Sequence, residues 1–226
     1  MIMAQPNYNP ERRPIASREK KISQRMADLL VQRGASPNLI SIIGMLCGTA
    51  AGLALAATSL DTWSRVAFIA AAVLMQLRLL ANMLDGMVAV GCGTASPVGE
   101  LYNDVPDRVS DVAAFVGAGY AAGGHAVLGY AAAILAVFIA YIRVQGKALG
   151  TPQDFGGPMA KPQRVFALTA LALYCGLAPA EWQPALTQPV ALGTMGIGLG
   201  FIIVGEVWTA WRRLVHIAQR LKEHRP

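Results

Sequence analysis

The chain has 226 residues, 54% hydrophobic and 14% charged, with a mean hydropathy of +0.44. That is too apolar and too poor in charge for an ordinary soluble domain and points to an integral membrane protein. Lys and Arg outnumber Asp and Glu 19 to 13, for a net charge of +6. The basic residues follow the loops without interleaved aromatics, which argues against nucleic acid as a partner.

In chain order, the first 20 residues carry Arg12, Arg13, Arg18 and Lys20 but no apolar core, so no signal peptide is expected. Residues 17–33 are amphipathic: Ser17 can cap the start, Gly34 can end it, and Ile22, Met26, Leu29 and Leu30 share one helical face. Two readings stay open for this segment: a helix lying in the headgroup plane, or an ordinary helix packed on the body of the protein. Six apolar blocks follow, at 39–59, 66–84, 105–120, 125–142, 165–177 and 190–211. Most approach the length that crosses a bilayer, and the fifth is short.

Basic residues gather before the first block, between the fourth and fifth (Arg143, Lys147, Lys161, Arg164) and after the sixth (Arg212, Arg213, Arg220, Lys222, Arg225). The opposite side carries only Arg65. Positive loops stay cytoplasmic, so both termini are expected there. The expected architecture is an all-α integral membrane protein with six transmembrane helices plus an N-terminal amphipathic interfacial helix. It divides into a cytoplasmic N-terminal segment (1–36), a transmembrane catalytic domain (37–212) and a basic cytoplasmic tail (213–226).

Cys47, Cys92 and Cys175, like His125, His216 and His224, show no metal-site spacing. Trp63, Trp182 and Trp208 read as interfacial anchors. Gly44, Gly48 and Gly52, then Gly117, Gly119 and Gly123, are spaced for close helix packing.

Between residues 80 and 111 oxygen-bearing side chains recur at helical spacing. Asn82 and Asp85 are three apart, Asn103, Asp107 and Asp111 four apart, and Asp104 stands close by. Polar clusters near hydrocarbon are functional candidates, and an all-oxygen set suits a hard cation such as Mg²⁺ better than zinc. Pro106 implies that the third helix starts near Asp104 or is kinked there. Arg78 is one turn before Asn82, where it would form a structural ion pair with Glu206 in the sixth block or contact phosphate, the ion pair being the leading expectation. Lys161 and Arg164 stand at the mouth of the fifth block, as candidate ligands for an acceptor or lipid phosphate or as membrane-side anchors.

The spacing Asn82-x2-Asp85-Gly86-x2-Ala89-Val90-x8-Gly99-x3-Asn103-x3-Asp107 resembles the CDP-alcohol phosphotransferase pattern D-x2-D-G-x2-A-R-x8-G-x3-D-x3-D. Every interval matches, as do the identities of Asp85, Gly86, Ala89, Gly99 and Asp107. Pro37-Asn38 before the first span also resembles the family. Asn82, Asn103 and Val90 depart from it. The resemblance implies metal-dependent transfer of a phosphatidyl group from CDP-diacylglycerol to a small alcohol, phosphorylated or not, with release of CMP and with Mg²⁺ or Mn²⁺ as cofactor.

Site roles follow by the same resemblance. Asn82, Asp85, Asn103 and Asp107 are metal ligands, Asp107 is the base with Asp111 as its alternate, and Gly86, Ala89 and Gly99 lie beside the nucleotide. A cytoplasmic site and a homodimer are also implied. In the family pattern the four carboxylates hold two divalent metals; two carboxamides in their place imply one metal here, or a weaker second one, with Arg108 as a candidate for the charge lost at Val90. The competing reading is a non-catalytic lipid- or nucleotide-binding member of the same fold. A transporter fits less well, because transporter sites lie near the bilayer midplane.

Overall fold

The computed structural model describes residues 18, 20–60, 64–94, 96–187 and 191–223. The expectations placed on Arg12, Arg13, Ser17, Trp63, His224 and Arg225 lie outside them. Seven α-helices account for most of these residues: α1 (Lys21–Gln32), α2 (Pro37–Ala57), α3 (Ser64–Gly91), α4 (Pro97–Tyr120), α5 (Ala126–Ala148), α6 (Lys161–Leu177) and α7 (Thr194–Glu223). Four segments, Pro37–Leu60, Ser64–Gly91, Ala126–Ala148 and Thr194–Glu223, are long and apolar enough to cross a membrane. α4 carries too many charges and α6, with 17 residues, is too short for that description.

Helix ends were the least accurate part of the sequence reading, because hydropathy stops where polar chemistry begins while the backbone continues. α3 runs past Asp85 to Gly91 and stops at Gly93, whose φ is 63°. There the Gly93 N–H donates to Val90 and the Thr94 N–H to Ala89, a Schellman closure. α5 extends to Ala148 and closes in the same way on Gly150, φ 88°. α4 starts at Pro97, eight residues before the expected 105. Ser96 is its N-cap and accepts from the Gly99 N–H at 3.1 Å, with Pro97 at the first helical position. Pro106 therefore neither starts nor stops the helix. α7 continues unbroken to Glu223, so the boundary expected at residue 213 falls within a helix.

The core is built from small side chains, with Ala51, Ala71, Ala118, Ala132, Ala136 and Ala172 all buried. Small residues let backbones approach where there is little hydrophobic drive to bring helices together. The closest approach joins α2 and α4. A methyl group on Gly52 would strike the Ala113 carbonyl, and one on Gly117 would strike the Gly52 carbonyl. Gly48 meets Ser110 on the same line. Leu46, Leu53, Val66, Ile134, Phe166, Phe201 and Val204 point outward.

The α5–α6 connection is docked on α7. Gly157, at φ 124°, takes a conformation that a residue with a Cβ rarely adopts, and it packs against Thr209. Thr209 Oγ1 accepts from the Met159 N–H at 2.9 Å. Asp154 accepts from the Gly156 N–H at 2.8 Å and lies 3.2 Å from His216 Nδ1. Arg213 donates to the carbonyls of Gly156 and Ile139, at 3.0 and 3.1 Å. This clamp delivers Lys161 to the start of α6.

Burial raises the Asp154 pKa, but the Gly156 N–H, His216 and Arg213 outweigh it and hold the carboxyl below its ordinary 3.8. Such a group stabilises the fold fully above its unfolded pKa and loses that contribution as pH falls through the lower folded value. Hydrogen-exchange protection of residues 151–160 should therefore hold across neutral pH and fall off below pH 3.8. Asp154→Asn should lower that protection at neutral pH; an unchanged acid limb in this variant would assign the effect to another carboxylate. Gly117→Ala should cost about 1–3 kcal/mol by overpacking against backbone, read as a lower thermal midpoint in detergent.

Candidate active site

α3 and α4 carry the two halves of the spaced motif, yet they touch only slightly, because α2 packs along both. Between them opens a cavity of about 1240 Å³, lined in part by Asn82, Asp85, Asn103, Asp107, Lys161 and Arg164. That volume is large for a single small ligand.

The motif residues form one hydrogen-bonded set. Asn82 Nδ2 donates to Asn103 Oδ1 at 2.9 Å and to Asp107 Oδ1 at 3.0 Å. Asn103 Nδ2 donates to Asp85 Oδ1 at 3.2 Å. Each carboxamide thus reaches the carboxylate carried by the opposite helix. Ser41, from α2, donates to Asp85 Oδ2 at 2.7 Å.

Cations from α3, α4 and α6 close the set. The Arg78 guanidinium pairs with Asp107 Oδ1, and its Nε donates to Ser110 Oγ at 3.0 Å. Lys161 Nζ pairs with Asp107 Oδ2 and donates to Asn82 Oδ1 at 3.2 Å. Arg108 lies 3.6 Å from both Asp107 and Asp111. Arg164 Nη2 meets Asp111 at 3.1 Å and its Nε meets Glu206 at 3.3 Å. Asp85, Asp107, Asp111, Arg78, Arg164 and Glu206 are all buried. Removing one member of such a buried pair typically costs about 3–5 kcal/mol.

Several expectations change. Arg78 pairs with Asp107 and not with Glu206; it faces α4, and the partner of Glu206 is Arg164 on α6. Asp104 turns to Arg143, which it grips through both oxygens at 2.8 Å. Asp111 lines a separate cavity of about 20 Å³ beside Arg78 and Ser110. Gly86, Ala89 and Gly99 line the main cavity, whereas Val90 points outward and is 58% exposed. Arg108 lines that cavity next to the motif carboxylates. Ser41 and Arg143 had no motif to mark them. Ser41 lies one turn after Pro37, and its position four residues on was the available signal.

The donor set suits a hard cation by type: two carboxylates and two carboxamides, all offering oxygen. It suits two such cations poorly. Among the described residues no three His, Cys, Asp or Glu side chains gather as a metal cluster, and Asp107 already faces Arg78 and Lys161.

Comparison with known proteins agrees with this geometry. The archaetidylinositol phosphate synthase of Aeropyrum pernix is 27% identical over 208 residues, covering 90% of this chain and 94% of that one. The phosphatidylinositol phosphate synthase of Mycobacteroides abscessus is 27% identical over 168 residues, covering 72% and 73%. Crystal structures of the Mycobacterium tuberculosis phosphatidylinositol phosphate synthase share the fold at TM-score 0.69 and 23% identity. One, in complex with manganese and citrate, covers 86% of this chain and 88% of that one. Another, with CDP-DAG bound, covers 88% and 94%. Residues 35–218 match the profile of the CDP-alcohol phosphatidyltransferases, from Ala35 before α2 to Ala218 near the end of α7, with the whole hydrogen-bonded motif inside. The chain belongs to the CDP-alcohol phosphatidyltransferase family.

Proposed function

We propose that this chain transfers the phosphatidyl group of CDP-diacylglycerol to the hydroxyl of a small phosphorylated polyol, releasing CMP. The carrying observation is the convergence of Asn82 and Asp85 from α3 with Asn103 and Asp107 from α4 on one cavity wall. The names of the relatives, both inositol phosphate lipid synthases, support a phosphorylated inositol as the acceptor class.

In this reading Asp107 takes the proton of the acceptor hydroxyl, with Arg78 and Lys161 fixing its carboxylate. Lys161 has three N–H donors, and two are engaged by Asn82 and Asp107, so the third is left for a phosphate oxygen. Arg164 is held by Asp111 and Glu206 on the same wall and adds positive charge for that phosphate. Gly86, Ala89 and Gly99 leave room for the nucleotide. Asp111 positions Arg164 and Arg108 and leaves the proton transfer to Asp107. A divalent cation held by Asp85, Asn82, Asn103 and Asp107 would supply charge neutralisation at the diphosphate.

The membrane arrangement belongs to the same proposal. α2 to α7 make six spans, with both termini and the cavity on the cytoplasmic side, supported by the basic residues at the end of α5 (Arg143, Lys147), at the start of α6 (Lys161, Arg164) and at the C-terminal end of α7. α1 lies in the headgroup plane. It turns the small Ser23 and Ala27 inward, and Ile22, Met26 and Leu29 stay exposed to meet lipid. The assembly is a homodimer, by resemblance to the family.

Purified protein with CDP-diacylglycerol and Mg²⁺ should release CMP with inositol phosphate about 10- to 100-fold faster than with inositol, the value of one charge-assisted contact of about 1.5–3 kcal/mol. Binding of CDP-diacylglycerol without CMP release across phosphorylated polyols would establish a binder in place of an enzyme. Asp107→Asn should cut turnover by about 10²–10⁴. It should also lower stability, because Arg78 and Lys161 lose their countercharge.

A further inference from the structure

Two divalent cations bring four positive charges, and the four motif positions here offer two negative ones, Asp85 and Asp107. Asp107 already meets Arg78 and Lys161. The two carboxylates differ sharply in this respect. Among the described residues, the hydrogen-bond partners of Asp85 are neutral: Ser41 Oγ, Asn103 Nδ2 and the Gly86 N–H. The site therefore has one carboxylate in direct contact with fixed cations and one that hydrogen-bonds only neutral groups.

Lys161 holds the position that makes this division specific. Its Nζ binds Asn82 Oδ1 on α3 and Asp107 Oδ2 on α4, joining the two helices through their oxygen atoms. It is delivered there by a loop docked on α7. Lys161 is the first residue of α6, next to Pro162, and the loop before it is pinned to Thr209 through the Met159 N–H. The carboxamides complete the arrangement. Four carboxylates at these positions would repel one another without metal, whereas Asn82 and Asn103 each donate to the carboxylate across the gap. α3 and α4 are thereby joined at the site before any ion binds.

We infer that the Lys161 ammonium is the built-in cation of this site, standing in for one of two divalent ions and leaving a single exchangeable one on the Asp85 side. The inference rests on the transferase reading of the motif positions, but counting metal separates the two: absence of CMP release counts against the enzyme, while the stoichiometry judges Lys161.

The experiment is Mn²⁺ binding to the full chain in detergent, followed by electron paramagnetic resonance of free Mn²⁺ and by calorimetry. The expected result is one Mn²⁺ per chain. Lys161→Met, which removes a fixed positive charge beside the site, should tighten Mn²⁺ by tenfold or more. Adding Asn82→Asp and Asn103→Asp to it should bring a second equivalent. Lys161→Arg, which keeps the charge and guards against misfolding of the Met variant, should keep the count at one. Zero or two Mn²⁺ in the unmodified chain would overturn the inference, as would unchanged or weaker binding in a folded Lys161→Met.

Discussion

A buried carboxylate in an apolar bundle is costly unless it is paired or hydrogen-bonded, and α4 carries two, one turn apart and each paired with cations, Asp107 and Asp111. Their partners come from α3 (Arg78), from α4 itself (Arg108) and from α6 (Lys161, Arg164), and Glu206 on α7 closes the chain through Arg164. Four helices are thus held in register by charge. An apolar surface built from alanine offers little to choose between one sliding position and the next. Buried ion pairs are poor sources of net stability, but a broken one is expensive, so misregistered packings are disfavoured. Four of these charges, Asp107, Arg108, Lys161 and Arg164, also line the cavity, so part of the set that aligns the bundle faces the open site.

The glycine contacts complement this. α2 and α4 approach until their backbones touch, at Gly52 and Gly117, and α2 also packs along α3. With α2 between them, α3 and α4 are spaced apart at the site while remaining fixed relative to each other. The separation allows Asn82 and Asp107 to hydrogen-bond across a space that a ligand can still enter.

Much of the site was legible in the sequence because helical spacing is a local property. Asn82, Asp85, Asn103 and Asp107 were named from intervals alone, and they meet. The partners of these residues were not legible, because pairing depends on which helices are neighbours. Arg78 was assigned to Glu206 on charge complementarity, but each of the two has a different neighbour. Ser41 and Arg143 belong to no motif and reach the cavity wall only through packing. Helix ends were misplaced where polar chemistry interrupts hydropathy. Even so, the Ser96-Pro97 cap and the turn glycines Gly93 and Gly150 are local signals that a reading of caps would have caught. Pro106 misled for a simple reason. The one hydrogen bond it removes leaves the carbonyl of Tyr102 without its partner, and Tyr102 is largely exposed, so the helix runs on through it.

The Gly52–Gly117 crossing has a bearing on how the cavity exchanges its contents. Backbones in contact have no side chains between them to rotate or slide, so the α2–α4 seam behaves as a fixed floor. The facing wall is different. α6 reaches the site through long, hydrogen-bonded cationic side chains, and the loop that leads into it hangs on α7 by a handful of polar contacts. The hydrogen bonds of the loop can break and re-form with little cost in packing, whereas the buried ion pairs of Lys161 and Arg164 are costly to break. Under the proposed function, passage of a bulky ligand would therefore be accommodated by breathing of the α5–α6 loop, with the seam serving as the anvil against which that movement works.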